Sequence, residues 1–192
     1  MTVDLVYDHY KETCQLVRDA EKSRTKNLFY LLITISILYL QIIQPSAVIS
    51  MVDKVLIAKI GSSIEFSISV FQSFIWFIFF GILIAYYKSC VFIERQYVYI
   101  HDLEKNLQTK TSQIPSREGK SYLTNYPLFS EWIYYLFTWV FPILIIILVI
   151  GKIITEYYSK AFPLPFLVVN SIICILCVIS TILFLRLLHW KK

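Results

Sequence analysis

Charge is missing from four stretches of the chain, Asn27 to Val52, Phe66 to Tyr87, Trp132 to Gly151 and Ala161 to Leu185, and a charged residue stands at every boundary. The stretches are 26, 22, 20 and 25 residues long. A hydrocarbon core about 30 Å thick is crossed by roughly 20 helical residues, and in lipid only a helix or a closed barrel satisfies its own backbone polar groups. Runs of this length without period-2 alternation are not barrel strands. The pattern predicts an all-α, four-helix integral membrane protein, with spans from about Leu28 to Gln44, from Ser62 or Ser63 onward, from Trp132, and from the Pro163/Pro165 entrance to Leu185.

The segments between the windows carry their own helical signals. Val3, Tyr7, Tyr10, Cys14 and Val17 recur at spacings of 4, 3, 4 and 3, an amphipathic stripe ahead of the first window. Two heptads of helix do not stand alone in water, and the mixed-charge polar face favours packing on protein over lying on a membrane surface. Past the second window Ile93, Tyr97, Ile100, Leu103 and Leu107 continue a helical pattern, and no Gly or Pro falls between Gly81 and Pro115. One helix from about Ser63 to Leu107 is expected, its later half a stalk outside the hydrocarbon. Asn106 to Ser116 reads as a loop, Ser130 as the cap of the third span, and Glu131 suits that helix's first turn.

Smaller features refine the layout. Pro45 to Gly61 holds a weak amphipathic run with Met51, Val52, Val55, Leu56 and Ile60 on one face, suited to a short interfacial helix. Trp132, Tyr134 and Tyr135 at one end of the third window, and Tyr157 and Tyr158 beyond the other, are interfacial belt positions. Pro142 in mid-window predicts a helix kink, with Thr138 four residues back to hydrogen-bond the disturbed backbone. The organisation is thus an amphipathic helix over 1–26, two spans and a short loop over 27–87, a stalk and loop over 88–131, and two spans and a tail over 132–192.

Composition supports the class and adds an orientation. Hydrophobic residues make up 57% of the 192 and charged residues 16%, against roughly 25% charged in a soluble domain. Fourteen basic residues lie in the two terminal segments and the middle loop, whereas only Lys54, Lys59, Lys152 and Lys160 lie in the other two loops. The positive-inside rule then puts both termini and the middle loop in the cytoplasm. The first span serves as an uncleaved targeting signal, because ten charges precede it. The net charge of +5 is spread among acidic residues, which is unlike the one-signed surface that binds nucleic acid, so no direct nucleic-acid partner is expected.

The windows hold no Asp, Glu, Lys, Arg or His, which argues against a proton-coupled carrier, an intramembrane hydrolase and a voltage sensor. Their polar residues are amides and hydroxyls: Gln41, Gln44, Gln72, Ser73, Asn170, Ser171 and Thr181 are the candidates for lining a water-filled pore. Interhelical hydrogen bonding is the plainer role for such residues. Cys174 and Cys177 lack the context of a redox or zinc motif and read as small packing residues, and no metal or cofactor is expected.

Outside the windows, Val3, Tyr7, Tyr10, Val17, Ile93, Arg95, Tyr97, Ile100, His101, Leu103, Arg117 and Lys120 are the candidates for contact with a protein partner. Arg95 and His101 also fit the loose spacing of HEPN-type ribonucleases, without the second motif that such catalysis needs. Arg117 to Ser121 lacks the spacing of a phosphate-binding loop and suits lipid headgroups instead.

The middle segment ERQYVYIHDLE, followed by REGKSYLTNYPLFSEW, within a charged helix and four spans, resembles small bacterial four-span proteins of phage-defence systems. Among these are the accessory membrane proteins of type VI-B CRISPR loci and the small membrane effectors of cyclic-oligonucleotide systems. The resemblance implies membrane permeabilisation, or modulation of a cytoplasmic nuclease, on infection; it carries over no catalytic residues. The expected protein is a non-enzymatic homo-oligomer of the bacterial inner membrane that forms or gates a pore. The alternative is an anchor that docks or regulates a cytoplasmic protein.

Overall fold

The computed structural model describes residues 3–60, 68–110, 128–159 and 163–189, and every one of them except Gln44 and Pro163 is helical. The elements are α1 (Val3–Ile43), α2 (Pro45–Ile60), α3 (Ile68–Lys110), α4 (Leu128–Tyr135), a π-helical turn (Leu136–Val140), α5 (Phe141–Ser159) and α6 (Leu164–His189). Four helical stretches among the described residues are long and apolar enough to cross a membrane, so the chain is a multi-pass helical membrane protein. The expected start of the second helix near Ser62 or Ser63, and the loop after Lys110 with Arg117 and Lys120, lie outside the described residues. Asn106 to Lys110, expected as loop, are instead the last turn of α3, and Ser130, expected as a cap, already lies within α4.

Two compact units make up the chain: Met1–Asn27 with Ala85–Phe141, and Leu28–Ile84 with Pro142–Lys192. In the first, the amino-terminal stripe packs on the later half of α3. Val6 meets Leu103 and Leu107 beside Tyr10, and Val17 meets Ile93 and Ile100 with Cys14 and Tyr97 against them. The line facing α3 runs through buried Val6, Thr13 and Val17 and half-buried Tyr10, while Tyr7 is exposed. Tyr10, Cys14 and Val17 of the expected stripe thus pack on α3, and Val6 takes the place expected for Tyr7. A valine loses nothing polar on entering the cluster, whereas a tyrosine there must find a partner for its hydroxyl.

Tyr10 has such a partner: its hydroxyl donates to Glu104 Oε1 at 3.0 Å. Burial and the Glu104 carboxylate both push the Tyr10 hydroxyl above its ordinary ionisation range, so it stays a donor. Tyr97 donates likewise to Glu21 at 3.3 Å, and the His9 ring lies edge-on to Tyr99.

Ahead of Pro142 the third apolar helix widens. Proline has no N–H to donate, and the residue before it, Phe141, sends its N–H to the carbonyl of Leu136, closing the π turn. Thr138 donates its hydroxyl to the Tyr134 carbonyl at 2.8 Å. Around this turn the Tyr86 hydroxyl reaches the Phe137 carbonyl at 3.5 Å, and the Arg24 guanidinium lies 4.8 Å from the Phe137 ring centre.

In the second unit the later part of α1, the start of α3, α5 and α6 bury Leu31, Leu38, Phe79, Leu83, Val149, Ile173, Cys177 and Phe184. Phe29, Phe77, Ile147 and Ile175 on the same helices stay exposed, as faces turned to lipid do. Gln44 breaks the chain between α1 and α2, and its carbonyl accepts the Val48 N–H at 3.3 Å. Pro45 at the head of α2 forfeits nothing, since its missing N–H would have had no helical partner. Met51, Lys54 and Lys59 of α2 are exposed.

The Tyr39 hydroxyl donates to the Leu148 carbonyl at 2.9 Å, and a Cβ on Gly151 would lie 3.1 Å from the Tyr39 hydroxyl oxygen. Gly151→Ala therefore trades a gain of about 0.8–1 kcal/mol in helix propensity against a loosened hydrogen bond worth about 0.5–1.5 kcal/mol. The single change is expected to be near neutral. In a Tyr39→Phe background, where no bond remains to loosen, Gly151→Ala should stabilise, which unfolding in mixed micelles measures directly.

Candidate functional site

The third apolar helix does not stop where its uncharged window does. α5 continues to Ser159, and Lys152 and Glu156, one turn apart on it, point into the bundle with side chains 1% and 0% exposed. Lys152 was expected in a loop; the helix retains it because Ile153 and Ile154 prolong the apolar face and Tyr157 and Tyr158 supply the interfacial end. The spans therefore do contain ionisable groups. The absence of ionisable groups that spoke against a proton-coupled carrier, an intramembrane hydrolase and a voltage sensor does not hold.

Lys152 Nζ lies 3.0 Å from Glu156 Oε1. With Lys ahead of Glu, the pair has the less favourable order for an isolated helix, so helix stability alone is no reason for it. The neighbouring helices provide one. Trp76 of α3 donates its indole N–H to Glu156 Oε1 at 2.9 Å, and Asn170 of α6 donates to Oε2 at 2.8 Å. Ser73 of α3 donates to Asn170 Oδ1 at 2.8 Å. Three helices thus converge on one carboxylate, with Trp76 itself wholly buried and set edge-on against Phe79.

The network leaves polar capacity over. Lys152 Nζ has no acceptor other than the Glu156 carboxylate among the described residues, so part of the ammonium's three-donor capacity is left over. Gln72 and Gln41, 0% and 2% exposed, have no partner for either amide atom among the described residues. A buried amide without a hydrogen bond costs on the order of 1–3 kcal/mol by protein mutational data. All these groups gather at one end of the unit: Glu156 in the last turn of α5, Gln41 in the last turn of α1, Asn170 within two turns of the start of α6, and Gln72 and Ser73 within two turns of the start of α3. Toward the other end the interior is Leu38, Phe79, Leu83, Val149 and Cys177.

Of the pore candidates, Ser73 and Asn170 are therefore brought together, and Gln41 and Gln72 are buried at the same end. Ser171 and Thr181 donate back to Leu167 and Cys177 of their own helix at 2.7 Å, and Gln44 is exposed at a helix end. Among the interaction candidates, Tyr10, Val17, Ile93, Tyr97, Ile100 and Leu103 take part in the packing of α1 on α3. Arg95 is exposed and His101 half-buried; their spacing sets them about 120° apart around α3, so they do not share a face. Val3 is helical, with its side chain outside the described residues.

Lys152, Glu156 and Trp76 escape a reading by uncharged windows. The signal that finds them is the tyrosine pair beyond them: if Tyr157 and Tyr158 mark the interface, the two charges before them lie within the span. No group of His, Cys, Asp or Glu among the described residues is arranged to hold a metal. No protein-family model, curated protein or solved structure matches the chain.

Proposed function

We propose that the protein is a non-enzymatic permeation protein of the bacterial inner membrane, acting as a homo-oligomer in which each chain's polar centre binds and passes a small hydrophilic species. The observation that carries this reading is the buried Lys152–Glu156 pair with Asn170, Ser73 and Trp76 around it. Charges within a span are costly and are retained chiefly along substrate and ion pathways. A centre kept only to fasten helices would use its hydrogen-bonding capacity, whereas Gln72 and Gln41 leave theirs unmet and Lys152 spends its own on Glu156 alone. The apolar layer beyond the centre suits a closed state, since constrictions of this kind gate by excluding water. The resemblance to four-span phage-defence proteins suggests infection as the setting, with the charged helix pair of α1 and α3 on the cytoplasmic side as the sensing part.

Purified protein reconstituted in lipid vesicles is expected to dissipate a salt gradient faster than empty vesicles. The Lys152→Gln/Glu156→Gln double variant should lower that rate at least about tenfold, the scale of one lost charge-assisted contact. Vesicles as tight as empty ones would overturn the reading. Its oligomeric part is tested by mass in nanodiscs: four or more subunits are expected, and a monomer or dimer removes it.

A second reading rests on a separate observation. Leu5, Leu16 and Val98 lie outside the apolar windows and are 54%, 55% and 65% exposed. Apolar residues left outside the lipid suit a docking surface for a cytoplasmic protein, in which case the spans are an anchor. This reading predicts no flux, and no effect of the Lys152/Glu156 variants on partner binding.

A further inference from the structure

The unmet capacity of the polar centre has a sign. An ammonium offers three N–H donors and no acceptor, and a carboxamide offers two N–H donors and one carbonyl. Lys152, Gln72 and Gln41 thus leave a surplus of donors inside the bundle. The one anionic group has no comparable surplus: Glu156 receives Trp76 and Lys152 at Oε1 and Asn170 at Oε2. A metal cation wants oxygen ligands, and here it would have to displace an ammonium from that carboxylate. A small anion wants N–H donors, and these are what remain. Gln72 belongs to the same centre, because it precedes Ser73 and stands one turn from Trp76 on the buried face of α3.

We propose that the centre is a binding site for a small monovalent anion of halide or nitrate size, held by the Lys152 ammonium and the Gln72 amide through the N–H groups that Glu156 does not take. This deepens the permeation reading and rests on it for the role of the site, while binding itself is open to a separate test. The pair Lys152–Glu156 is neutral as a whole, so the anion meets an ammonium whose charge is already shared. Binding is accordingly weak, with half-saturation on the order of 10 mM. Such affinity suits a species that must leave again.

Trp76, whose indole bonds Glu156, reports on the site. In a Trp132→Phe/Trp139→Phe/Trp190→Phe background Trp76 is the one remaining tryptophan. This protein is placed in nanodiscs and titrated with iodide at constant ionic strength, with gluconate as the balancing anion. Emission is expected to fall along a saturating curve, and nitrate should compete. The neutral quencher acrylamide should have little effect on a side chain 0% exposed. Gln72→Leu should raise the half-saturating iodide concentration about tenfold, and Lys152→Gln/Glu156→Gln should abolish saturation.

Gln72→Met, closer in shape, serves where Gln72→Leu does not fold; folding is judged by elution volume and by a blue-shifted emission before iodide is added. Linear quenching without saturation overturns the proposal, as does a saturating curve that both variants leave unchanged. Saturation in a protein that passes no chloride through vesicles keeps the site and removes the permeation reading. Chloride flux without saturation keeps permeation and removes the anion site.

Discussion

Glu156→Ala is expected to cost the folded protein about 3–5 kcal/mol, the usual penalty for stripping one member from a buried ion pair. Three groups lose at once. The Lys152 ammonium, 1% exposed, has no other counter-charge among the described residues, and the indole of Trp76 and the amide of Asn170 lose their acceptor. Lys152→Ala should cost a similar amount, because it leaves the carboxylate uncompensated. The double variant Lys152→Met/Glu156→Gln should cost only about 1 kcal/mol, since an uncharged amide still accepts one of the two hydrogen bonds. The non-additivity is the diagnostic quantity. Unfolding in mixed micelles, followed by tryptophan emission, measures all three. Single variants that cost under about 1 kcal/mol, or a double equal to their sum, would mean that the pair is solvated.

Ile100→Ala should release the amino-terminal segment. Ile100 is 1% exposed and packs with Val17 and Ile93, between Tyr10, Cys14 and Tyr97. Truncating a buried Ile or Leu costs about 2–5 kcal/mol, and among the described residues the stripe's other cluster is Val6 with Leu103 and Leu107. Hydrogen exchange over residues 3–26 is the readout, with strong loss of protection expected for Ile100→Ala and none for Leu5→Ala, which alters a side chain 54% exposed. Equal protection in both variants would show that the segment does not depend on this packing.

The four spans were legible because a span is a matter of composition over some twenty residues, and no tertiary contact is needed to recognise one. Where each span ends was less so. A rule that stops at the first charge places Lys152 outside, although Tyr157 and Tyr158 beyond it point the other way. The partners of Glu156 were not legible at all: Trp76 and Asn170, the latter held by Ser73, stand on two other helices, and only the rotation of those helices decides that they meet. The amino-terminal stripe is helical with Tyr10, Cys14 and Val17 in the packing as expected, but Val6 rather than Tyr7 is inside. Adjacent positions differ by about 100° around a helix, and it is the facing surface of α3 that selects between them.

The spacing of Lys152 and Glu156 also bears on how α5 enters the bilayer. A charged residue within a nascent span costs free energy on insertion, up to about 2.5–3.5 kcal/mol at a helix centre, and this segment carries two toward its end. They are one turn apart on one helix, so the pair can close within α5 itself, without a group from any other helix. The segment can then partition as a net-neutral dipole, with its charge compensated from within. The bonds from Trp76 and Asn170, by contrast, require α3 and α6 to be packed against α5. Moving the lysine to another helix would keep the final network's composition but make α5 cross the translocon as an anion, so biogenesis constrains this spacing independently of the folded state.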